Sequence, residues 1–421
     1  MEVQQAKTME LEQASLRRRI PELDGLRGIA ILLIIACHYI IAGPAHVGHG
    51  SIASYLLTLN RLTWSGVDLF FVLSGFLIGG ILLDEQRSAN YFKAFYMRRF
   101  CRILPIYIVT CLLFWLGTWL LTDSHNRALL ALFENHMPWY TYATFTQNFW
   151  RAQHNVNGHG WLGITWSLAV EEQFYLTLPF LIRYLKRAYL PYVLGATILA
   201  VPLFRTLLYF IHPHASVAAF VLMPCRADSL LLGVMAALYV RTRTGWTFLV
   251  THKRLLYVSL GVLSLGMAVF TRKYWTGGAL PMLTFGYTWI ALFYLCLLLI
   301  AITQPRSIVS RVTRNRLLME VGIIAYGTYL FHRPVQSLAF SFILGHEPQF
   351  IGLPSIAVSL LSLILTLAIA KASWIYFEKL FVRYSHKYNY SNGSAITDGP
   401  GLAPKMLERN DPVLEGANAS I

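Results

Sequence analysis

Uninterrupted apolar runs constrain this chain more than any motif in it. Residues 28–42, 67–83, 103–121 and 353–370 approach or exceed the roughly 17–20 residues that cross hydrocarbon as a helix. A soluble helix would break such runs with a polar face. Composition points the same way. Of 421 residues, 56% are hydrophobic and 13% charged, against about 25% charged in an ordinary globular domain. Mean hydropathy is +0.51. Lipid offers backbone groups no partners, so helices are the expected answer. The pattern predicts an all-α polytopic membrane protein of about ten transmembrane helices, near 28–44, 66–83, 103–122, 161–182, 189–210, 225–241, 254–271, 279–303, 318–344 and 353–377.

The net charge of +15 is not spread as a nucleic-acid surface would be. With the N-terminus inside, Arg17, Arg18, Arg19, Lys93, Arg98, Arg99 and Arg102 fall on the cytoplasmic side, as do the basic groups around 183–187, 241–254, 306–316 and 379–387. The outer side keeps Arg61, Arg127, Arg151, Arg226, Arg272 and Lys273. The bias predicts both termini inside. A 1–19 cytoplasmic segment, a 20–387 transmembrane domain and a disordered cytoplasmic tail over 388–421 follow. The tail carries an Asn392-Gly393-Ser394 sequon that this topology keeps from glycosylation. The first residues are polar and no small-residue cleavage site follows the first apolar run, so that run is expected to stay as a span. Cys37, Cys101, Cys111, Cys225 and Cys296 lack paired spacing and are expected to pack, with no disulfide or metal framework.

Ionisable side chains inside hydrocarbon cost about 2.5–3.5 kcal/mol or more, so each is a functional candidate. Arg27 and His38 are 11 residues apart in the first span. That separation puts both on one helix face with a rise of about 16 Å. Glu171 lies about ten residues into the fourth span, at a depth like that of His38, and shares a face with Ser167 and Tyr175. A carboxylate and an imidazole at matched depth are the makings of a base and its orienting partner; the alternative is a buried ion pair that fixes packing. Glu172 sits around the helix from that stripe. Arg99 and Arg102, at i and i+3, and Arg98 with Arg102, at i and i+4, fit phosphate binding or an ordinary positive-inside stop signal. Asp68 begins the second span, where Ser74-Gly75 permits close helix contact. His332 precedes a proline and either lines a site or bonds structurally. The 123–160 loop, with Trp139, Tyr140, Tyr142, Trp150, His154, Asn155 and His159, is either an interfacial aromatic belt or a partly re-entrant roof.

Together these segments resemble the acyltransferase-3 family. Glu22-Leu-Asp-Gly-Leu-Arg27-Gly with His38 resembles its opening Arg and His. Residues 66–76 resemble its second-span signature, and 98–107 its Arg-x-x-Arg region. Trp166-Ser-Leu-Ala-Val-Glu171 resembles its Trp-Ser-Leu-x-x-Glu segment, and Tyr326-Gly-Thr-Tyr-Leu-Phe-His332-Arg-Pro its late His-Pro motif. The resemblance spans about 20–380. It implies transfer of an acyl group, usually acetyl from acetyl-CoA, to a hydroxyl of a carbohydrate or lipid-linked sugar, in the bacterial cytoplasmic (inner) membrane. His38 would be the catalytic histidine, Arg27 its paired arginine, and Arg98, Arg99 and Arg102 the acyl-CoA phosphate site. Glu171 would belong to the core and orient His38, with Asp24 or Asp68 as alternatives; Glu172, Tyr175 and His332 would support the substrate. No SGNH hydrolase-like domain is seen, which implies a stand-alone enzyme. Glu378-Lys-Leu replaces the family's Glu-Lys-Pro, a change not expected to touch chemistry. The rival from another class is a transporter or flippase of a sugar-lipid or small anion, in which the same buried groups would line a pathway. It would show inverted repeats, and none is apparent.

Overall fold

The structure is a computed structural model and describes residues 20–40, 58, 60–121, 125–133, 137–156, 160–212, 214–274, 278–349 and 352–391. Every regular element among them is helical. In chain order these are α1 (Pro21–Tyr39), α2 (Gly66–Asp84), α3 (Tyr91–Leu120), α4 (Arg127–Phe133), α5 (Trp139–Ala143), α6 (Gln147–His154), α7 (Trp166–Tyr184), α8 (Leu190–Ile211), α9 (Ala215–Val221), α10 (Met223–Val240), α11 (Arg243–Thr251), α12 (Lys253–Lys273), α13 (Tyr287–Thr303), α14 (Ile308–Thr313), α15 (Arg316–Ile323), α16 (Ala325–Ile343), α17 (Gly352–Ser373) and α18 (Lys379–Ser385).

Among the described residues, seven stretches are long and apolar enough to cross a membrane: Thr63–Asp84, Tyr91–Leu120, Leu190–Ile211, Ala215–Val240, Lys253–Lys273, Met282–Thr303 and Gly352–Ser385. Helices also stand at the other three positions where the sequence predicts spans, α1, α7 and α16. Their apolar character is diluted by Glu22, Asp24 and Arg27, by Glu171, Glu172 and Gln173, and by His332, Arg333 and Gln336. On the outermost helices α8 and α12, Leu199, Leu203 and Leu265 are about 70% exposed, at 73%, 71% and 69%. Side chains of that kind on a helix flank belong against lipid.

Two crossings set the centre of the bundle. Where α2 meets α10, a β-carbon on Gly75 would collide with the Leu230 carbonyl, and one on Gly233 with that of Val72. Where α1 meets α15, Gly28 lies against the Leu318 backbone and Gly322 against that of Asp24. Backbones this close are the usual means of association in lipid, where burial of apolar surface drives little. The same core holds two ion pairs at full burial. Arg226 Nη2 donates to Asp68 at 2.5 Å and Arg205 Nη2 to Asp228 at 2.9 Å, and Arg226 stacks on Tyr287 with its guanidinium 4.2 Å from the ring centre. Arg226 is thus buried inside the bundle, where the charge count over the sequence assigns it to the outer loops.

The 123–160 loop is neither a plain belt nor an open roof. Trp139 and Tyr140 face outward, but Tyr142 is buried and accepts at its carbonyl from Tyr107 OH at 3.0 Å. The Asn148 and Gln173 side chains pair at 2.9 Å, which ties α6 to α7. His159 lies outside the described residues. The tail expected to be disordered from 388 is held through 391: Asn90 donates to the Asn389 carbonyl at 2.8 Å and accepts from the Ser391 amide at 2.9 Å. The rest of it, including the sequon, lies outside the described residues.

Candidate active site

A cavity of about 230 Å³ runs between α1, α2, α3, α7 and the start of α16. Its wall on α2 extends from Val67 to Ile81, which is about 21 Å of helix. Three arginines converge on it: Arg27 from α1, and Arg99 and Arg102 from α3. Local geometry explains the two from α3, since i and i+3 share a face. Arg27 is tethered to Asp24 at 2.9 Å but keeps 37% of its side chain exposed. Arg102 lies 4.8 Å over the Trp374 ring. Trp374 opens a π-helical turn, Trp374–Glu378, of a kind often found at functional positions. The turn also brings Glu378 close enough to Arg102 for a favourable charge interaction. From sequence, only the leucine that follows Glu378-Lys is weighed, and the irregular turn that draws Glu378 inward leaves no signature there.

Arg98 does not join the cluster. Its Nε donates to the Tyr388 carbonyl at 2.9 Å, its Nη2 to Asn389 Oδ1 at 2.7 Å, and its guanidinium stacks on Tyr390. It anchors the chain after α18.

Midway along the cavity are Ser74, Glu171 and Tyr175. Tyr175 OH lies 2.5 Å from Ser74 Oγ and donates to Glu171 Oε2 at 3.3 Å. Ser167, on the same α7 face, bonds Tyr329 OH at 2.6 Å, and both line the cavity. Glu172 points elsewhere. Its Oε1 is buried with no hydrogen-bond partner among the described residues.

The histidines meet just beyond the far end. His38 follows the cavity residue Ile34 by one helical turn on α1, about 6 Å. Its Nδ1 lies 2.9 Å from Nε2 of His332, and Nδ1 of His332 lies 2.7 Å from the Tyr329 carbonyl. A carbonyl can only accept, so His332 carries its hydrogen on Nδ1. In neutral rings that leaves His332 Nε2 as acceptor and His38 Nδ1 as donor. The lone pair of His38 is therefore on Nε2, outside the pair. Tyr39 OH, which donates to the His332 carbonyl at 3.0 Å, secures the backbone behind it.

No hydrogen bond joins His38 to Glu171, so the base-and-carboxylate pairing expected from matched depth gives way to a pair of imidazoles. The alternatives are engaged elsewhere as well, Asp24 with Arg27 and Asp68 with Arg226. Tyr329 goes unremarked in the sequence, although its place three residues before His332 could have marked it.

The model of the Acyl_transf_3 family, described as an acyltransferase domain, matches residues 20–374. The chain belongs to the acyltransferase-3 family. All three cavity arginines, both histidines and Glu171 lie within the acyltransferase-3 match. The chain is similar to the peptidoglycan O-acetyltransferase OatA of Listeria monocytogenes, 28% identical over 410 residues, covering 90% of this chain and 58% of that protein. It is also similar to the O-acetyltransferase OatA of Staphylococcus aureus, 26% identical over 392 residues, 87% of this chain and 58% of that one. The chain thus spans little more than half the length of these relatives. No solved structure matches the chain significantly.

Proposed function

We propose that this protein is a membrane O-acyltransferase that moves an acyl group, acetyl first among them, from acyl-CoA to a carbohydrate hydroxyl. Peptidoglycan is the acceptor class that the relative from Listeria favours by its name. The observation that carries the reading is a single cavity with three cations at one end and the His38–His332 pair just past the other. Its length of about 21 Å is of the order of an extended phosphopantetheine arm. Arg27, Arg99 and Arg102 then take the phosphates, for which planar guanidinium groups are suited, while the arm carries the thioester toward His38. Arg98 is left out of this clamp.

In this mechanism His38 Nε2 accepts the proton of the acceptor hydroxyl as its oxygen attacks the thioester carbonyl. The C–O bond forms, the tetrahedral centre collapses with loss of the C–S bond, and the thiolate takes the proton back from His38. His332 keeps the His38 ring in the tautomer and orientation that this exchange needs. General-base help of this kind gives about 10²–10⁴ in rate.

We read ten crossings, with α1, α7 and α16 added to the seven apolar stretches and both chain ends in the cytoplasm of a bacterial inner membrane. The arginine end of the cavity then faces the cytoplasm, where acyl-CoA is made. The buried ion pairs and the absence of any inverted repeat in the sequence leave the transporter reading without an observation in its favour.

The test is acetyl-CoA turnover by purified protein in nanodiscs, followed as free thiol released with a peptidoglycan fragment added. Wild type should release CoA, His38→Ala should lose about 10²-fold or more of the rate, and Arg102→Ala should lose affinity for the donor. Full activity in His38→Ala would sink the mechanism. Failure of the wild type to consume the thioester or bind CoA would sink the assignment.

A further inference from the structure

Between its arginine end and its histidine end, the cavity is lined by Leu73, Leu77, Phe71, Ile78, Leu168 and other apolar side chains. Besides the Ser167–Tyr329 pair, a polar station interrupts them. Ser74 is seven residues from Val67 and seven from Ile81, so it sits about 10 Å from either end of the α2 wall. There Ser74 Oγ, Tyr175 OH and Glu171 Oε2 form a continuous hydrogen-bonded chain, with links of 2.5 and 3.3 Å. The Tyr175 hydroxyl bonds Glu171 at Oε2, with Ser74 beside it and Arg99 and Arg27 near enough to attract its charge. A carboxylate can accept about four hydrogen bonds, so capacity remains for donors from a ligand in the cavity.

A carboxyl group in an apolar tube is costly unless something donates to it. A plain acyl chain supplies nothing. An arm that carries secondary amides supplies N–H donors for Glu171 and carbonyl acceptors for the Ser74 and Tyr175 hydroxyls. In acyl-CoA both amides lie between the phosphates and the thioester. A molecule stretched from the arginines toward the histidines therefore presents them at the middle of the cavity.

We propose that Ser74, Tyr175 and Glu171 form a docking station for the pantetheine amides of the donor. Glu171 is then a ligand-binding residue and not the group that orients His38, a role His332 already fills. This rests on the acyl-CoA reading above. It also accounts for Glu171 standing midway along the cavity while His38 lies past its end. The station fixes how far the arm is drawn in, and so where the thioester stops.

The experiment compares two ligands on the full-length protein in nanodiscs: CoA, and adenosine 3′,5′-bisphosphate, which keeps nucleotide phosphates but has no arm. Glu171→Ala should weaken CoA binding about 10-fold, and Tyr175→Phe by less, with bisphosphate affinity changed less than about twofold in either. Glu171→Gln, which keeps the side chain's shape, stands in if the alanine variant does not fold; retained bisphosphate binding certifies that a variant is folded. Equal losses for both ligands, or unchanged CoA affinity in the folded variants, would overturn the station while leaving the donor reading in place. A wild type that binds neither ligand would overturn both.

Discussion

An imidazole that donates to a second imidazole differs in kind from one that donates to a carboxylate, because the pair carries no compensating negative charge. His332 can position His38 but gives little electrostatic help to the imidazolium that forms, unless the proton is shared along their 2.9 Å bond. His332→Ala should therefore lower kcat by less than His38→Ala does, with CoA affinity unchanged. The double variant should be no slower than His38→Ala alone, since the two act as one unit; additive losses in steady-state kinetics would separate them. The arginines divide in the same way. Arg102→Ala should weaken CoA binding at least about 10-fold, whereas Arg98→Ala should leave it unchanged, because Arg98 spends its donors on Tyr388 and Asn389. Calorimetric titration with CoA decides between them. Much of this candidate site was legible in the sequence: Arg27, Glu171 and His38 stand out as ionisable groups inside apolar runs, and Arg99 with Arg102 as an i, i+3 pair at the cytoplasmic edge of one. Their partners were not. His38 and His332 are 294 residues apart, and no local periodicity reports which of several buried groups a histidine will meet. Adjacent arginines on one turn likewise look alike until the returning C-terminal segment claims one of them.

At the scale of helices, the ladder of small residues and the buried ion pairs do separate work. Gly75 and Gly233 let α2 and α10 touch backbone to backbone, and the Ser74-Gly75 pair makes that contact predictable from sequence. Gly75→Val should cost about 1–3 kcal/mol or more by overpacking, seen as a lower unfolding temperature in detergent. Asp68, which the sequence offers as a possible partner for His38, instead neutralises Arg226 where both are fully buried. Asp68→Ala should destabilise by about 3–5 kcal/mol, because it leaves an uncompensated guanidinium. Asp68→Leu combined with Arg226→Met should recover most of that loss and retain turnover. Lost turnover in a double variant of restored stability would return Asp68 to the chemistry. The pairing itself escapes sequence reading, since the apolar runs place Arg226 at the start of a span without saying which buried carboxylate it meets.

Across the whole molecule, topology puts the site to work. The proposed orientation, with both ends in the cytoplasm, predicts that a green fluorescent protein fused after Ile421 fluoresces and an alkaline phosphatase fused there is inactive; the reverse pattern would turn the donor cavity outward. The helix positions were legible from the apolar runs. The seven stretches that qualify on hydropathy alone give the site only a few polar residues each, such as Ser74 of α2 and Arg99 and Arg102 near the start of α3. The helices α1, α7 and α16 carry more polar residues within their apolar length. That division bears on how the protein holds together. Helices laden with Arg27, Glu171 or His332 insert poorly by themselves, so they depend on apolar neighbours to hold them in the bilayer. Helix α2, which packs against both α1 and α7, is such a neighbour, and the candidate site is complete only with α16 in place, since α16 carries His332 and Tyr329. Lesions in the packing helices should accordingly appear in cells as missing protein, removed by quality-control proteases, while lesions in the polar helices' reactive groups should appear as abundant protein that does nothing.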